Sequence, residues 1–474
     1  MDSIGTGQQA EDAQGPYIGS LPAVVGKVLT RAVNWFEKYL LLLVIGGFFA
    51  GIGVASVSQG VVDRVDSTIN GFMGWYDFAA PVAIFLILTP SLTRLFGTSK
   101  FGRFGLLVIA GFALRKILAG VWAIAFILLV FRIPIVPQGS VSVAAGIMQT
   151  LGSLAEMGTT SPYFWAMYLA IGVSLISTRL VILTVILEKV MNVVEQMGSW
   201  FMPLMPVFMF AIGAYVFGLP DNVNEQVGLD AGGASILKDL NIWGWVISPQ
   251  TSTGMITIYV LGALLTAIAC FMWQSVFLFI TRAVEPRFSI VGYFKKYWIK
   301  VYPLLWATSS EALATPLNLF LTKKHAPWIR SEIRRFTIGV GSYMDINGTI
   351  INVFVLAAIV LMMIGLDVSV VELVFIIPVV FLISYGVPGI PGELVLFAGP
   401  MATLLNIPEA TLPVFLAVYL GLQLGLPDSF RTGSNSTDDY VMAILVNSIY
   451  EKHYASDTSI VIPDSEVIGV AAAD

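Results

Sequence analysis

The sequence predicts an all-α polytopic membrane protein with eight transmembrane helices and two re-entrant helical hairpins. Three observations predict it. Of 474 residues, 57% are hydrophobic and only 12% charged, with a mean hydropathy of +0.84; soluble domains carry about a quarter of their residues as charge. Apolar runs of roughly 20 residues recur along the chain, each enough to cross about 30 Å of hydrocarbon. Two further apolar stretches are interrupted in the middle by polar or Gly/Pro residues. Backbone freed in this way inside a bilayer must be buried in protein or line a cavity.

Residues 1–35 are polar and Gly-rich and lack the apolar core of a signal peptide, so they read as a cytoplasmic N-terminal tail. Spanning segments follow near residues 39–59, 71–96, 104–131, 160–190, 197–219, 245–282, 335–365 and 411–450. The interrupted stretches lie at about 298–322 and 368–405, and residues 453–474 form a C-terminal tail. Basic residues set the orientation. Lys27, Arg31 and Lys38 precede the first segment, and Arg94, Lys100 and Arg103 follow the second. Arg282, Arg287, Lys295 and Lys296 on one side, and Lys323, Lys324, Arg330, Arg334 and Arg335 on the other, flank the first interrupted stretch. All fall on one face if that stretch enters and leaves by the same side, which makes both termini cytoplasmic in a plasma (inner) membrane.

Each interruption has its own chemistry. "WATSSEALATPLNLF" breaks the first stretch with Thr308, Ser309, Ser310 and Glu311, and "YGVPGIPGELVLF" breaks the second with prolines and glycines. Two broken segments entering from opposite faces point to a midplane site built from half-helix ends. Ordinary kinked helices or extramembrane loops are the plainer alternative.

Composition also excludes. Cys270 is the single cysteine, and His325 and His453 are the only histidines, so an internal disulfide, a cysteine metal cluster and a His-based metalloenzyme fail on ligand supply. Glu311 and Glu393 could act as acid and base, yet no nucleophile–base pair accompanies them. The expectation is a non-enzyme without a resident cofactor, acting on a small solute, surrounded by membrane lipid and with no nucleic-acid partner.

The most informative stretch is "GLPDSFRTGSNSTDDYVMAIL", because Arg431 is the only Lys or Arg between Phe336 and Glu451. On a helix, Asp428, Arg431, Asn435 and Asp439 fall within an arc of about 80°. Charges at such depth are costly and mark function. Arg431 offers a planar fork for a carboxylate, Asp428 can accept from an ammonium, Asn435 can donate and accept, and Asp439 supplies a hard oxygen suited to a cation. A structural pair of Arg431 with Asp428 or Asp438 is the bland alternative. In "GSYMDINGTI", Asp345, Asn347 and Thr349 interrupt another apolar helix, and Gly348 favours local unwinding that exposes carbonyls to a cation.

These residues resemble the dicarboxylate/amino acid:cation symporters, the family of the glutamate transporters, with this chain a divergent member. The family's serine-rich first tip looks like Thr308 to Glu311, its "NMDGT" signature looks like Asp345 to Thr349, and its Gly/Pro-rich second tip looks like Gly386 to Gly392. Its last-helix "D..R...N...D" pattern is matched at Asp428, Arg431, Asn435 and Asp439. The resemblance implies a glutamate-transporter-like homotrimer of elevator type that moves an acidic amino acid or related dicarboxylate with Na⁺ or H⁺ as coupling ion. A passive anion channel, or a carrier of another carboxylate with reduced or absent Na⁺ coupling because Arg115 and Lys116 replace one cation site, is the alternative. The resemblance puts scaffold helices at 39–103 and 160–219, and a moving domain at 104–131 and 245–452. It implies Ser309, Ser310, Thr349, Gly389, Pro391, Asp428, Arg431 and Asn435 as the substrate shell, and Gly341, Asp345, Asn347, Asn435 and Asp439 as the cation set. Keeping both Asp428 and Arg431 favours an acidic amino acid.

Three departures stand out. The acid and amide are exchanged in "DINGT". The second tip, "GVPGIPGE", permits two registers and adds Glu393. In the third helix, Arg115 and Lys116 align with small hydroxyl residues that help bind one sodium in the family. Either one pairs with Asp345 as a tethered cation, or both snorkel from an interfacial position.

Overall fold

The computed structural model describes residues 23–98, 102–137, 142–227, 236–386, 389 and 392–454. The first helix, α1 (Ala23–Ala55), begins inside the segment expected to be a tail, and the chain then turns by 116° into α2 (Gln59–Thr98). Next come α3 (Gly102–Phe131), α4 (Val143–Thr160), α5 (Pro162–Ser177), α6 (Val181–Phe201) and α7 (Met205–Val227). A short hairpin of β1 (Leu240–Ile242) and β2 (Trp245–Ile247) leads to the long α8 (Ser252–Val284). Thr251 caps that helix by accepting from Gly254 N–H at 3.1 Å.

Two predicted elements are corrected. The segment expected as one span at 160–190 is two helices, α5 and α6. A cluster of hydroxyls competes with the backbone there: Ser174 donates to Thr89 O at 2.8 Å, Thr184 to Ser177 O at 2.8 Å, and the Thr93 and Ser177 hydroxyls meet at 2.8 Å. The segment expected at 197–219 starts later, at Met205, because a 3₁₀ turn around Pro203 intervenes. Two elements were not foreseen, the β-hairpin and α4; the latter mixes Gln149, Thr150, Ser153 and Glu156 among its apolar residues and so lacks a spanning signature.

The C-terminal half carries the interruptions. The one-turn α9 (Ile290–Gly292) runs into a π-helical turn (Tyr293–Trp298) and then α10 (Ile299–Thr308), which pairs with α11 (Glu311–His325) as the first hairpin. The span expected at 335–365 is broken at Asp345–Ile346 into α12 (Ser331–Met344) and α13 (Asn347–Met363). The second hairpin is α14 (Val370–Ile383), a 3₁₀ turn (Ser384–Gly386) and α15 (Val395–Leu404). Its start is fixed by a capping box, in which Ser369 N–H donates to Glu372 Oε2 at 2.7 Å and Glu372 N–H donates to Ser369 Oγ at 3.2 Å. The last span bends by 58° between α16 (Leu412–Gln423) and α17 (Leu426–His453). Tyr259 staples this bend: its hydroxyl donates to Leu424 O at 2.8 Å and accepts from Leu426 N–H at 2.7 Å.

Among the described residues, four helical stretches are long and apolar enough to cross a membrane, or six if each bent pair is one span. The count of eight rests on adding shorter apolar helices, Pro162–Ser177 and Met205–Asp221 among them. Large apolar side chains such as Leu42, Phe49, Leu106, Leu129, Leu169 and Phe279 stand exposed, as a lipid-facing surface requires. The chain is a multi-pass membrane protein.

Packing sorts the helices into two groups. α1 lies along α7, and α2 along α5 and α6. The other group centres on α17, which touches α8, α10, α11, α12 and α13, while α3 packs on α13 and α14. Every side chain of α13 but Met362 is buried, and α17 is buried from Pro427 to Ser448 except at Phe430. The polar residues of α17 therefore face protein, not lipid.

Candidate functional site

The site assembles where four chain breaks converge on α17. The first hairpin turns at Ser309, which holds a left-handed backbone (φ +46°), and Ser310, which is extended. Glu311 then opens α11, where a carboxylate favours the positive helix end. Its N–H donates to Gly389 O at 3.1 Å, so the two hairpin tips touch. Gly389 has φ +70°, and a Cβ there would stand 3.1 Å from the Glu311 Cβ. Glycine is the residue this contact admits. The expected position Pro391 lies outside the described residues.

Arg431 sits at the centre with no exposure. Its Nε and Nη2 both donate to Asp428 Oδ1, at 2.8 and 2.5 Å. Its Nη1 donates to Thr349 Oγ1 at 2.8 Å and to Glu393 Oε1 at 2.5 Å, with Glu311 Oε1 at 3.9 Å. Asp428 Oδ2 in turn accepts from Gly392 N–H at 3.2 Å. Asn435 Nδ2 donates to Glu311 Oε1 at 2.7 Å and Thr349 Oγ1 at 3.0 Å, and its Oδ1 accepts from Gly348 N–H at 2.6 Å and Thr349 N–H at 3.3 Å. Ser309 Oγ lies 3.4 Å from Ser429 Oγ, while the buried Ser310 Oγ and Glu311 Oε2 have no hydrogen-bond partner among the described residues.

Thus Asp428, Arg431, Asn435, Thr349, Gly389 and the serine tip are brought together. One detail of the sequence reading changes. Gly348 does not itself unwind the helix; the break is at Asp345–Ile346, and Gly348 is the second residue of α13, where any Cβ would come 2.5 Å from Arg431 O and 2.8 Å from Asn435 Oδ1.

A second buried cluster adjoins the first. Arg115, 1% exposed, bridges two acids: Nη1 donates to Asp345 Oδ2 at 3.0 Å and Nη2 pairs with Asp438 Oδ2. Asp438 Oδ1 accepts from Gln274 Nε2 at 2.8 Å, and Asp345 Oδ1 accepts from Asn347 Nδ2. Lys116 is fully buried and makes no hydrogen bond among the described residues; its Nζ lies 3.5 Å from the centre of the Tyr385 ring and 5.6 Å from that of Phe381. The interfacial, snorkelling alternative for this pair is therefore corrected: both side chains point into protein.

Of the expected cation residues, Gly341 lies against Asp439, whose Oδ1 a Cβ at 341 would overlap. Asp439 Oδ2 accepts from Ser436 Oγ at 3.1 Å, whereas its Oδ1 and the Asn347 Oδ1 are buried acceptors without a donor among the described residues. Orphan buried oxygens of this kind carry a desolvation penalty that a cation removes. Asp345, by contrast, is committed to Arg115.

Sequence reasoning left Glu311 and Glu393 unassigned, overlooked Gln274 and Ser429, and offered Asp438 as a structural partner of Arg431, whereas it pairs with Arg115. The signal that Asp438 has a partner of its own was its place beside Asp439. Two consecutive acids on a buried helix point about 100° apart, so the second needs a partner of its own.

Comparison with protein-family models matches residues 240–449 to the sodium:dicarboxylate symporter family. That span runs from β1 almost to the end of α17 and contains both hairpins, the broken α12–α13 pair and the Arg431 site. Comparison with curated proteins gives no match.

Proposed function

We propose, on the premise that residues 240–449 belong to the sodium:dicarboxylate symporter family, that the protein is a secondary transporter of an acidic amino acid or related carboxylate. The observation that carries this is the meeting of two broken hairpins around one buried guanidinium. Arg431 receives the substrate carboxylate through its Nη1 edge, with Thr349 and Asn435 beside it. Asp428 takes the ammonium once the second hairpin lifts and its bond to Gly392 N–H breaks. In this reading α3, α8 and α10–α17 move as a unit against α1, α2 and α5–α7, and the working assembly is a homotrimer of elevator carriers.

Coupling follows from charge. Arg431, Arg115 and Lys116 are surrounded by Asp428, Glu393, Glu311, Asp345, Asp438 and Asp439, all buried. Carboxylates outnumber cations, and uncompensated buried charge is expensive. The deficit is met by protons or by Na⁺ taken up with substrate, with Asp439 and Asn347 supplying free oxygens. Arg115 already fills one cationic position, so the expected Na⁺ dependence is shallow.

The test is an uptake panel in liposomes, covering acidic and neutral amino acids and dicarboxylates, with Na⁺, K⁺ and pH gradients imposed one at a time. Accumulation of an acidic substrate against its gradient, abolished by Arg431→Ala, is expected. Flux without accumulation, or unchanged uptake in Arg431→Ala, would overturn the assignment.

A further inference from the structure

The carboxylate of Asp439 is held on one oxygen and open on the other. Its Oδ1 is buried without a hydrogen-bond partner among the described residues and faces Gly341 of α12, where a side chain would fill the space. Its Oδ2 accepts from Ser436 Oγ at 3.1 Å, and Ser436 is itself held. Asn318 of α11 donates from Nδ2 to Ser436 Oγ at 2.7 Å and to Ser436 O at 3.1 Å. Tyr297, in the π-helical turn, donates from its hydroxyl to Asn318 Oδ1 at 2.9 Å. All four side chains are fully buried.

Chemistry fixes the direction of this chain. A backbone carbonyl only accepts, so the Asn318 atom facing Ser436 O is the nitrogen and the atom facing Tyr297 is the oxygen. The Ser436 hydroxyl accepts from Asn318, which leaves its one hydrogen for Asp439. Every donor therefore points toward the carboxylate. Tyr297 is pinned in turn, its ring stacked 4.4 Å from that of Tyr440, the residue after Asp439, and 5.6 Å from that of Tyr293. Packing alone does not call for Asn318, since a leucine would fill similar space without the cost of burying an amide.

We infer that Tyr297 and Asn318 are positioning residues for a coupling Na⁺: acting through Ser436, they lock the Asp439 carboxylate in the orientation that presents Oδ1 to the cation. This rests on the reading of Asp439 as a cation ligand within the proposed transport function. A group bonded to the far side of a ligating carboxylate fixes its aim, and losing such a group typically weakens a metal site by about 10–100-fold. Asn318 belongs to the first hairpin and Tyr297 to the turn that enters it, whereas Asp439 lies on α17. The first hairpin thus contributes to the cation site from behind the carboxylate.

The experiment measures equilibrium binding of radioactive sodium to the purified full chain, with choline chloride holding the ionic strength constant. Asn318→Leu and Ser436→Ala should each raise the half-saturating Na⁺ concentration by about tenfold. Tyr297→Phe, which keeps the ring stack and removes one hydroxyl two links away, should raise it by about threefold. Ser436→Thr retains a hydroxyl and should stay near the parent. Tyr293→Phe is the control, because its hydroxyl bonds Thr437 O at 3.3 Å in the same stack but outside the chain; it should leave Na⁺ affinity unchanged. Parental affinity in Asn318→Leu or Tyr297→Phe, or an equal loss in Tyr293→Phe, would overturn the inference. A parent that binds no Na⁺ would overturn it too, while proton-driven uptake of a carboxylate by that parent would leave the transport reading standing. The expected pattern of Na⁺ affinities in a chain that takes up no carboxylate would sustain the inference and sink the transport reading alone.

Discussion

Replacing Arg115 with threonine should convert a built-in cation into a requirement for a dissolved one. Arg115 is 1% exposed and bridges Asp345 and Asp438, themselves 1% exposed. Removing one partner of a buried ion pair costs about 3–5 kcal/mol, because the remaining charge is left uncompensated. Here two acids are stranded. A typical folding stability is about 5–15 kcal/mol, so the variant should be severely destabilised in a medium offering only choline. A small cation that fits the vacated space binds the folded state alone and restores about 2.7 kcal/mol at a hundred times its dissociation constant. The assay is thermal unfolding of purified protein in NaCl and in choline chloride at equal ionic strength. Wild type should respond weakly and Arg115→Thr strongly, with uptake by the variant becoming Na⁺-dependent or acid-stimulated. Adding Asp345→Asn and Asp438→Asn should abolish the Na⁺ response, since no stranded acids remain. An Arg115→Thr protein as stable as wild type in choline, or one with an identical Na⁺ response, would refute the reasoning.

Other perturbations probe neighbouring parts of the same arrangement. Asp428→Asn should depress uptake of amino acids more than that of dicarboxylates, because only the former present an ammonium; equal losses would count against Asp428 as its acceptor. Gly341→Ala should cost about 1–3 kcal/mol by overpacking, since the new methyl would overlap Asp439 Oδ1 and lie 3.2 Å from Phe112 Cζ; a loss of coupling-ion affinity in flux assays should accompany the drop in melting temperature. Just past the end of α8, Arg287 bonded to Glu285 holds that carboxyl down at about 2 from an ordinary 4.5, with Ser448 Oγ also donating to it at 2.8 Å. This stabilisation is present above the ordinary value and is lost as pH falls from about 4.5 toward 2. Glu285→Gln should therefore flatten that part of the acid unfolding curve, and an unchanged curve would show that the contact adds nothing.

Much of the architecture was legible because its signals are local. The runs that became α3 and α8 need only hydropathy, and the tips at Ser309–Ser310 and Gly389 announce themselves by residues that break helices. The α17 stripe was legible for the same reason, since four polar residues at helical spacing in an apolar setting must share a face. What escaped detection was whatever depends on a distant partner. The break between α5 and α6 comes from hydroxyls that find acceptors on α2. The Arg115–Asp438 pair joins residues more than three hundred positions apart. That Glu393 reaches Arg431 turned on where a hairpin tip lands, and spacing does not encode that.

The two clusters also explain why a chain so poor in charge keeps its charges where it does. Arg431, Arg115 and Lys116 each lie beside a chain break: Arg431 between the two tips, Arg115 at the α12–α13 junction, and Lys116 against Tyr385 in the 3₁₀ turn of the second hairpin. A break exposes carbonyls and amides that a packed helix would satisfy by itself, and these polar ends make ionised side chains tolerable in a dry interior. Each cation in turn holds its break in one geometry. Movement at a tip must therefore change the pairing of a buried charge, and a change in buried pairing must draw in or release an ion. In the proposed transport function, coupling between substrate, hairpin and cation rests on that dependence.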